Sequence, residues 1–170
     1  MPLTSLRLQD FRCYPALRCP LTDGVTIFVG DNAQGKTSLL EAVCVLLRLQ
    51  SPRCQGTKEL TRFGAEGFGV AGTFNGRELR HTGGAARGLF IEGTPARRPA
   101  EFLAASGLVV WMGNGDMELV SGGSEARRRY LDFLGSQIYP EYRTALRNYD
   151  KALRARNLLL RRDASIPWRQ

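Results

Sequence analysis

Residues 30–37 read Gly30-Asp31-Asn32-Ala33-Gln34-Gly35-Lys36-Thr37, a G-x-x-x-x-G-K-T pattern that is typical of a phosphate-binding loop. Residues 25–29 precede it as a short apolar, β-branched run, which predicts a buried strand. Apolar residues then recur at helical spacing after Lys36, and they predict a helix that ends near Leu49. The alternative is a glycine-rich turn that binds nothing, and the complete motif between a strand and a helix disfavours it.

The residue types in this loop suit a polyphosphate. Gly30 and Gly35 allow a tight turn and a close approach of the backbone to the ligand. Successive backbone N–H groups at the positive end of a helix form an anion-binding site. Lys36 would reach the β- and γ-phosphates, and the Thr37 hydroxyl would complete the ligand shell of a Mg²⁺ ion. We therefore expect residues 30–37 to bind a nucleotide together with Mg²⁺.

Length and composition indicate a globular protein with its own core. The chain has 170 residues, of which 43% are hydrophobic. Its apolar runs are too short to cross a bilayer and it opens without a secretory pattern, so we expect a cytoplasmic protein without a membrane partner. Neither a C-x-x-C pair nor a histidine beside a cysteine occurs, which favours reduced thiols over a metal site or disulfides. The residues concerned are Cys13, Cys19, Cys44, Cys54 and His81.

Positive charge is concentrated late in the sequence. The net charge is +8, and residues 126–170 hold eleven Arg or Lys against four Asp or Glu. This pattern suggests a polyanionic partner, most simply nucleic acid. The alternative is a solvated helix face in an arginine-rich protein, since only Lys36, Lys58 and Lys151 are lysines. The candidate DNA-binding residues are Arg127, Arg128, Arg129, Arg154, Arg161 and Arg162.

Strand signals dominate the first two thirds of the chain. Two strands form a hairpin before the loop, which favours a mixed sheet with an antiparallel edge. Asn75-Gly76 lies between two strand-like runs and is a strong hairpin signal, so residues 67–98 should form a small antiparallel sheet. The predicted strands cover residues 3–11, 16–21, 25–29, 69–75, 77–82, 89–92 and 107–112.

Helix signals dominate the remainder. Ser124 can cap a helix that runs to residue 138, and Pro140 suits the first turn of the next helix. Apolar residues from Tyr142 to Leu160 recur at steps of four and three, which is typical of a short coiled-coil-like seam. Shorter helices are predicted at residues 58–63 and 99–106.

Three blocks of sequence resemble the RecF family, which comprises DNA replication and repair ATPases with a head related to the SMC and ABC ATPases. The first block is Leu6-x-Leu8-x-Asp10-Phe11-Arg12-x-Tyr14 together with the loop and its continuation Ser38-Leu39-Leu40-Glu41-Ala42. The second is Asp116-Met117-Glu118-Leu119-Val120 followed by Arg127-Arg128-Arg129-Tyr130-Leu131-Asp132. The third is Tyr149-x-x-Ala152-Leu153-x-x-Arg156-Asn157-x-Leu159-Leu160. Together the blocks span nearly the whole chain in the family's order.

The resemblance implies a mixed α/β fold: a P-loop NTPase head of the ABC/SMC type. Residues 1–122 would be an ATP-binding lobe with an antiparallel sheet, and residues 123–170 the start of a helical lobe, an incomplete helical hairpin. It also implies binding of ATP, Mg²⁺ and single-stranded or gapped DNA, an ATP-dependent homodimer, and RecO- and RecR-type partners in loading recombinase. Arg12 matches an arginine that approaches the nucleotide in related heads, although a surface arginine on an edge strand is an equal alternative.

The sequence departs from the family pattern at three places. Ala33 stands where related heads often carry glycine, which a negative φ would accommodate. Residues 113–115 replace a Ser-Pro-Glu-like element. The signature motif and the acidic Walker B strand are not found in residues 1–170, so we expect the N-terminal portion of a RecF-like ATPase that does not hydrolyse ATP by itself. An unpaired edge beside residues 25–29 would then favour aggregation.

Two other functions remain open from the sequence. A self-contained P-loop kinase or NTPase is disfavoured because neither a second acidic strand nor an arginine-rich lid follows the loop at the usual place. A non-functional fragment of an interrupted gene is the third hypothesis.

Overall fold

The computed structural model describes residues 3–54, 56, 58–113, 116–139 and 141–163, with no side-chain placement for residues 162 and 163. Two compact units are separated, residues 1–111 and residues 112–170. The division into lobes after residue 122 stays a prediction. Asn114, Gly115 and Pro140, to which two sequence interpretations refer, lie outside the described part.

The first unit is built on a six-stranded sheet whose strand order is β2-β1-β3-β4-β5-β6. The strands are β1 (Leu3–Phe11), β2 (Tyr14–Pro20), β3 (Gly67–Phe74), β4 (Arg77–Gly84), β5 (Gly88–Ile91) and β6 (Thr94–Pro95). All neighbouring strands in this order pair antiparallel. The opening hairpin and the sheet expected over residues 67–98 are therefore one continuous sheet, because β1 pairs with β3.

The β3–β4 hairpin confirms the turn predicted from Asn75-Gly76. Asn75 and Gly76 have φ values of 52° and 75°, so both central residues adopt the left-handed conformation that a tight type I′ turn requires. The register pairs Phe74 with Arg77 directly across this turn.

Helix α1 (Lys36–Arg48) packs on the sheet, and the two together form most of the core. Its residues Val45 and Leu46 are completely buried, as are Phe11 of β1 and Val70 of β3. The close approach depends on Gly72, where an added Cβ would lie 2.4 Å from the Ser5 carbonyl oxygen and 2.9 Å from Leu46 Cδ2. Helix α2 (Pro99–Ala105) adds Phe102 to this core, at the place where the sequence predicts a short helix.

The predicted buried strand at residues 25–29 is wrong. These residues have no assigned strand, and the side chains of Val25, Ile27 and Val29 are 85%, 77% and 90% exposed. The predicted strand at residues 107–112 is wrong for the same reason, since Leu108 and Val110 are 71% and 82% exposed. Both segments are apolar, but among the described residues no strand pairs with either of them. The parallel strand pairing that a mixed sheet would contain is also not found among the described residues.

The second unit consists of α3 (Met117–Ser121), α4 (Ser124–Ile138) and α5 (Tyr142–Asp163). Ser124 is the first residue of α4 and makes no capping hydrogen bond, so its predicted role as the cap is wrong; Gly123 occupies the cap position. The Tyr142 hydroxyl donates to Asp132 Oδ1 at 2.7 Å and joins α5 to α4. Farther along α5, Tyr149 and Leu160 of the predicted seam are 62% and 52% exposed. Within the described ranges, none of the helices is long and apolar enough to span a membrane.

Candidate phosphate-binding site

The loop at residues 30–35 enters α1 through left-handed backbone conformations. Gly30 and Gly35 have φ values of 153° and 91°, which glycine adopts without strain. Ala33 has a φ of 66°, so the negative φ that would accommodate alanine at this position is not found. An alanine in this region carries a steric cost of about 1–2 kcal/mol. Contacts of the surrounding loop must offset this cost.

Lys36 lies across the loop that precedes it. Its ammonium group donates to the carbonyl oxygens of Gly30 and Asp31, at 2.6 and 2.5 Å. The side chain is thereby placed at the start of α1, beside the N–H groups that the first helical turn leaves without intrahelical partners. This is the arrangement in which a lysine and a helix N-terminus can share one anionic group.

The β1–β2 turn forms the wall opposite the loop. The Tyr14 hydroxyl donates to the Gln34 carbonyl oxygen at 3.2 Å. A Cβ added to Gly35 would lie 2.5 Å from Cys13 Sγ and 2.8 Å from Tyr14 Oη. Glycine is therefore required at position 35 both for its positive φ and for this contact. The turn and the loop both line one open cavity.

Beneath this cavity lies a buried carboxylate. Glu41 is fully buried on α1, and its two oxygens accept from Arg12 Nη2 at 2.6 Å and Arg12 Nε at 2.9 Å. Arg53 Nη1 and the Ser51 hydroxyl donate to the same carboxylate at 3.3 and 2.6 Å. The hydrogen bonds that Arg12 donates to Glu41 are the main reason that the pKa of Arg12 is raised above its usual value. Arg12 is thus not a free surface arginine but half of a buried ion pair.

These elements converge on one cavity. It brings together six of the predicted site residues, Arg12, Asn32, Ala33, Gly35, Lys36 and Thr37, with Cys13, Ser38, Arg53, Glu59 and Thr61. Gly30, Asp31 and Gln34 complete the loop without lining the cavity among the described residues. The position of Thr37, in the first turn of α1 and exposed, is compatible with a hydroxyl ligand to a metal ion.

Sequence reasoning missed Glu41, Arg53 and Cys13 as parts of the site. One signal for Glu41 was present, because it falls among buried α1 positions such as Ser38, Ala42 and Val45 at helical spacing. A carboxylate on the buried face of a helix requires a partner. Arg53 and Cys13 had no comparable signal, since their role depends on how two distant turns meet.

The candidate DNA-binding arginines lie on two helices of the second unit. Arg128 on α4 and Arg154 and Arg161 on α5 are exposed. Arg127 donates to the carbonyl oxygens of Leu119 and Gly122, at 3.4 and 2.9 Å, and so also fixes the end of α3. Arg129 lies 3.8 Å from Glu125 in an exposed i, i+4 pair. The side chain of the sixth candidate, Arg162, lies outside the described part.

Comparison with known proteins agrees with this geometry. A family model described as AAA domain matches residues 5–91, about half of the chain. The DNA replication and repair protein RecF of Synechococcus sp. (strain JA-3-3Ab) is 40% identical, with 96% of this chain and 44% of the relative covered. RecF of Myxococcus xanthus (strain DK1622) is 34% identical, with 98% and 45% covered. The chain thus spans about half the length of the curated relatives that it matches.

Solved structures show the same relationship. A structure of the recombination mediator protein RecF-ATPrS in the RecFOR pathway gives a TM-score of 0.81 at 29% identity, with 95% of this chain and 45% of that chain covered. A structure from work on ATP-driven dimerization of SMC ATPases gives a TM-score of 0.62 at 20% identity, with 78% and 98% covered, and shows likeness of fold.

The mixed α/β fold and the glycine-rich loop define a P-loop domain of the type found in ABC and SMC heads. The chain belongs to the RecF family of AAA-domain proteins.

Proposed function

We propose that the loop at residues 30–37 binds ATP with Mg²⁺, and that the protein acts in DNA replication and recombinational repair. The observation that carries the proposal is the placement of Lys36, whose ammonium group lies over the loop at the N-terminus of α1. Phosphate oxygens are better acceptors for an ammonium group than neutral carbonyl oxygens, because their negative charge adds a Coulomb attraction to the hydrogen bond. The name RecF-ATP, given to a solved relative that is 30% identical over 95% of this chain, supports the same ligand.

The residue types of the loop fit this ligand. Gly35 has no Cβ, so the loop can lie directly against Cys13 and Tyr14. The loop N–H groups and Lys36 would hold the β- and γ-phosphates, and the Thr37 hydroxyl would be a ligand of Mg²⁺. A bound Mg²⁺ would neutralise charge on the phosphates.

Lys36→Ala tests the proposal directly. The substitution removes the point charge on the phosphates, and we expect the affinity for ATP to fall by about 10- to 100-fold, as the loss of a charge-assisted contact would produce. Isothermal titration of ATP with Mg²⁺ into both proteins measures the change. Lys151→Ala on α5 removes the same charge outside the loop and serves as the control. Equal ATP affinities of the parent and the Lys36→Ala variant would contradict the proposal.

Cys13 supplies an independent probe of the same cavity. It is exposed and lines the cavity beside Gly35, so bound ATP should slow its alkylation by iodoacetamide. Buried Cys44 should stay unmodified, because burial raises its pKa to about 12 and the thiolate is the reactive form. Mass spectrometry of the labelled peptides measures both sites. Protection of Cys13 that persists in Lys36→Ala would show that it does not come from phosphate binding at the loop.

The nucleic-acid part of the proposal rests on the exposed arginines of α4 and α5. We infer that they contact phosphates of single-stranded or gapped DNA without reading sequence. Affinity should therefore fall steeply as salt rises from 50 to 200 mM, by about tenfold or more if three or more phosphates are neutralised. Fluorescence anisotropy at several salt concentrations measures this, and Arg128→Ala with Arg154→Ala should reduce the slope. Affinity independent of salt would contradict the electrostatic account.

The remaining family properties are proposals for the whole protein. We propose an ATP-dependent homodimer and cooperation with RecO- and RecR-type proteins, as the RecFOR pathway named for a relative suggests. We also propose that residues 1–122 form the nucleotide lobe and residues 123–170 the start of the helical lobe.

A further inference from the structure

We propose that Glu41 is a positioning residue of the phosphate site, which holds Arg12 and Arg53 together at the wall of the cavity so that both guanidinium groups face a bound polyphosphate. The inference rests on the proposed function and deepens it. It adds Arg53 to the site beside Lys36 and Arg12, and it assigns the placement of both arginines to one carboxylate that does not itself line the cavity.

The arrangement begins with the position of Glu41 on α1. Thr37 and Glu41 are four residues apart on α1, so they lie on the same side of the helix, with Glu41 one turn after Thr37. The carboxylate is therefore fixed relative to the loop by the same helix that carries Lys36 and Thr37. It has no contact with solvent, whereas the side chains of Arg12 and Arg53 keep 21% and 44% of their surface exposed.

Glu41 fixes Arg12 by a two-donor contact. Nη2 and Nε of Arg12 donate to different oxygens of the carboxylate, at 2.6 and 2.9 Å. Such fork-like pairing sets the plane of the guanidinium as well as its distance. The Arg12 backbone is held too, because its N–H donates to the Leu60 carbonyl oxygen at 2.8 Å.

Glu41 fixes Arg53 through the turn that carries it. The Ser51 hydroxyl donates to Glu41 Oε1 at 2.6 Å and accepts from the backbone N–H groups of Arg53 and Cys54, at 2.9 and 3.1 Å. The turn is thereby anchored on the carboxylate, and Arg53 Nη1 adds a direct contact at 3.3 Å. Two separate segments, at residues 12 and 51–54, thus meet at one buried acidic group.

The direction in which the ATP affinity changes on removal of Glu41 distinguishes a positioning role from a simple effect of its charge. If Glu41 acted only as a negative charge near the cavity, its removal would strengthen polyphosphate binding, because the site would become more positive. If Glu41 positions the two arginines, its removal releases them and binding weakens although the charge has become more favourable. A purely structural role would lower stability and leave the affinity of the folded protein unchanged.

Glu41→Gln, which keeps the shape of the side chain, is the deciding variant. We expect the Kd for ATP with Mg²⁺ to rise about tenfold, as the loss of one well-placed charged hydrogen bond would give. Calorimetry is carried out on the full chain at temperatures where circular dichroism shows the variant to be folded. Glu78→Gln, which removes the same charge from an exposed pair with Arg7, should change the Kd by less than about twofold.

Two further variants keep the inference falsifiable. Arg12→Lys keeps the positive charge but cannot form the two-donor contact with Glu41. In that background, Glu41→Gln should reduce the ATP affinity much less than it does in the parent. If Glu41→Gln does not fold, Ser51→Ala decides, since Ser51 lies outside the cavity lining but holds the Arg53 turn. We expect it to weaken ATP binding about threefold, and an unchanged Kd would overturn the inference.

The outcomes also separate this inference from the proposed function. Unchanged or tighter ATP binding by Glu41→Gln, in a protein whose binding depends on Lys36, would overturn the positioning role alone. A parent protein that binds no ATP would overturn both.

Discussion

Replacing Arg12 with alanine is expected to lower the free energy of unfolding by about 3 kcal/mol, because it leaves the carboxylate of Glu41 buried without its main partner. Two charge-assisted hydrogen bonds are lost, and they belong to a carboxylate that has no contact with solvent in the intact protein. Breaking a buried ion pair from one side typically costs about 3–5 kcal/mol. The lower end applies here, since Ser51 and Arg53 still contact Glu41.

Arg7→Ala is the matched control for that experiment. Arg7 pairs with Glu78 across the sheet, but the two side chains are 43% and 47% exposed. Its removal should cost less than about 1 kcal/mol, because exposed ion pairs contribute little. Urea denaturation followed by circular dichroism gives both values. Similar losses of unfolding free energy in the two variants would mean that Glu41 is hydrated or is satisfied by its other partners. Arg12 would then not be needed to satisfy the buried carboxylate.

The parts of the site that the sequence predicts are those encoded by local pattern. The loop, the helix after it and the turn at Asn75-Gly76 each depend on residues adjacent in the chain, and all are present. The roles of the glycines and the lysine in a phosphate-binding loop depend on the backbone geometry of only a few neighbouring residues. Such features are readable without knowledge of the tertiary fold.

The parts that the sequence does not predict arise from contacts between distant segments. The cluster around Glu41 joins residue 12 to residues 51–54, and no periodicity connects those positions. The positive φ of Ala33 is imposed by the loop and is not a preference of alanine.

The failed strand predictions have a different cause. Residues 25–29 and 107–112 do have strand-like composition, and in the second segment exposed Leu108 and Val110 alternate with half-buried Val109 and Trp111. Periodicity reports which residues could line a sheet, but a strand also needs a neighbour to accept its hydrogen bonds. Among the described residues no strand pairs with either segment. Composition therefore indicated residues that could form strands, but not whether a neighbouring strand pairs with them.

Their exposure makes aggregation of the 170-residue protein the expected behaviour, and Ile27→Lys with Val110→Lys should suppress it. These two side chains are 77% and 82% exposed, so charging them removes apolar surface from contact with other molecules and costs no core packing. The change in free energy of unfolding should stay within about 0.5 kcal/mol per site, as for other surface substitutions. Size-exclusion chromatography with light scattering should show a shift from aggregates to monomer.

A second double variant separates this effect from net charge. Thr22→Lys with Thr144→Lys adds the same two charges at exposed polar positions, and it should leave the aggregates in place if apolar contact drives them. Equal solubilisation by both variants would mean that general repulsion suffices. Persistent aggregation of Ile27→Lys with Val110→Lys would instead place the contact elsewhere, for which the exposed Tyr149 and Leu160 of α5 are the next surface to test. Suppression by the first variant alone would identify residues 25–29 and 107–112 as the surface that aggregates, because only there does the added charge replace apolar groups that the fold leaves exposed to water.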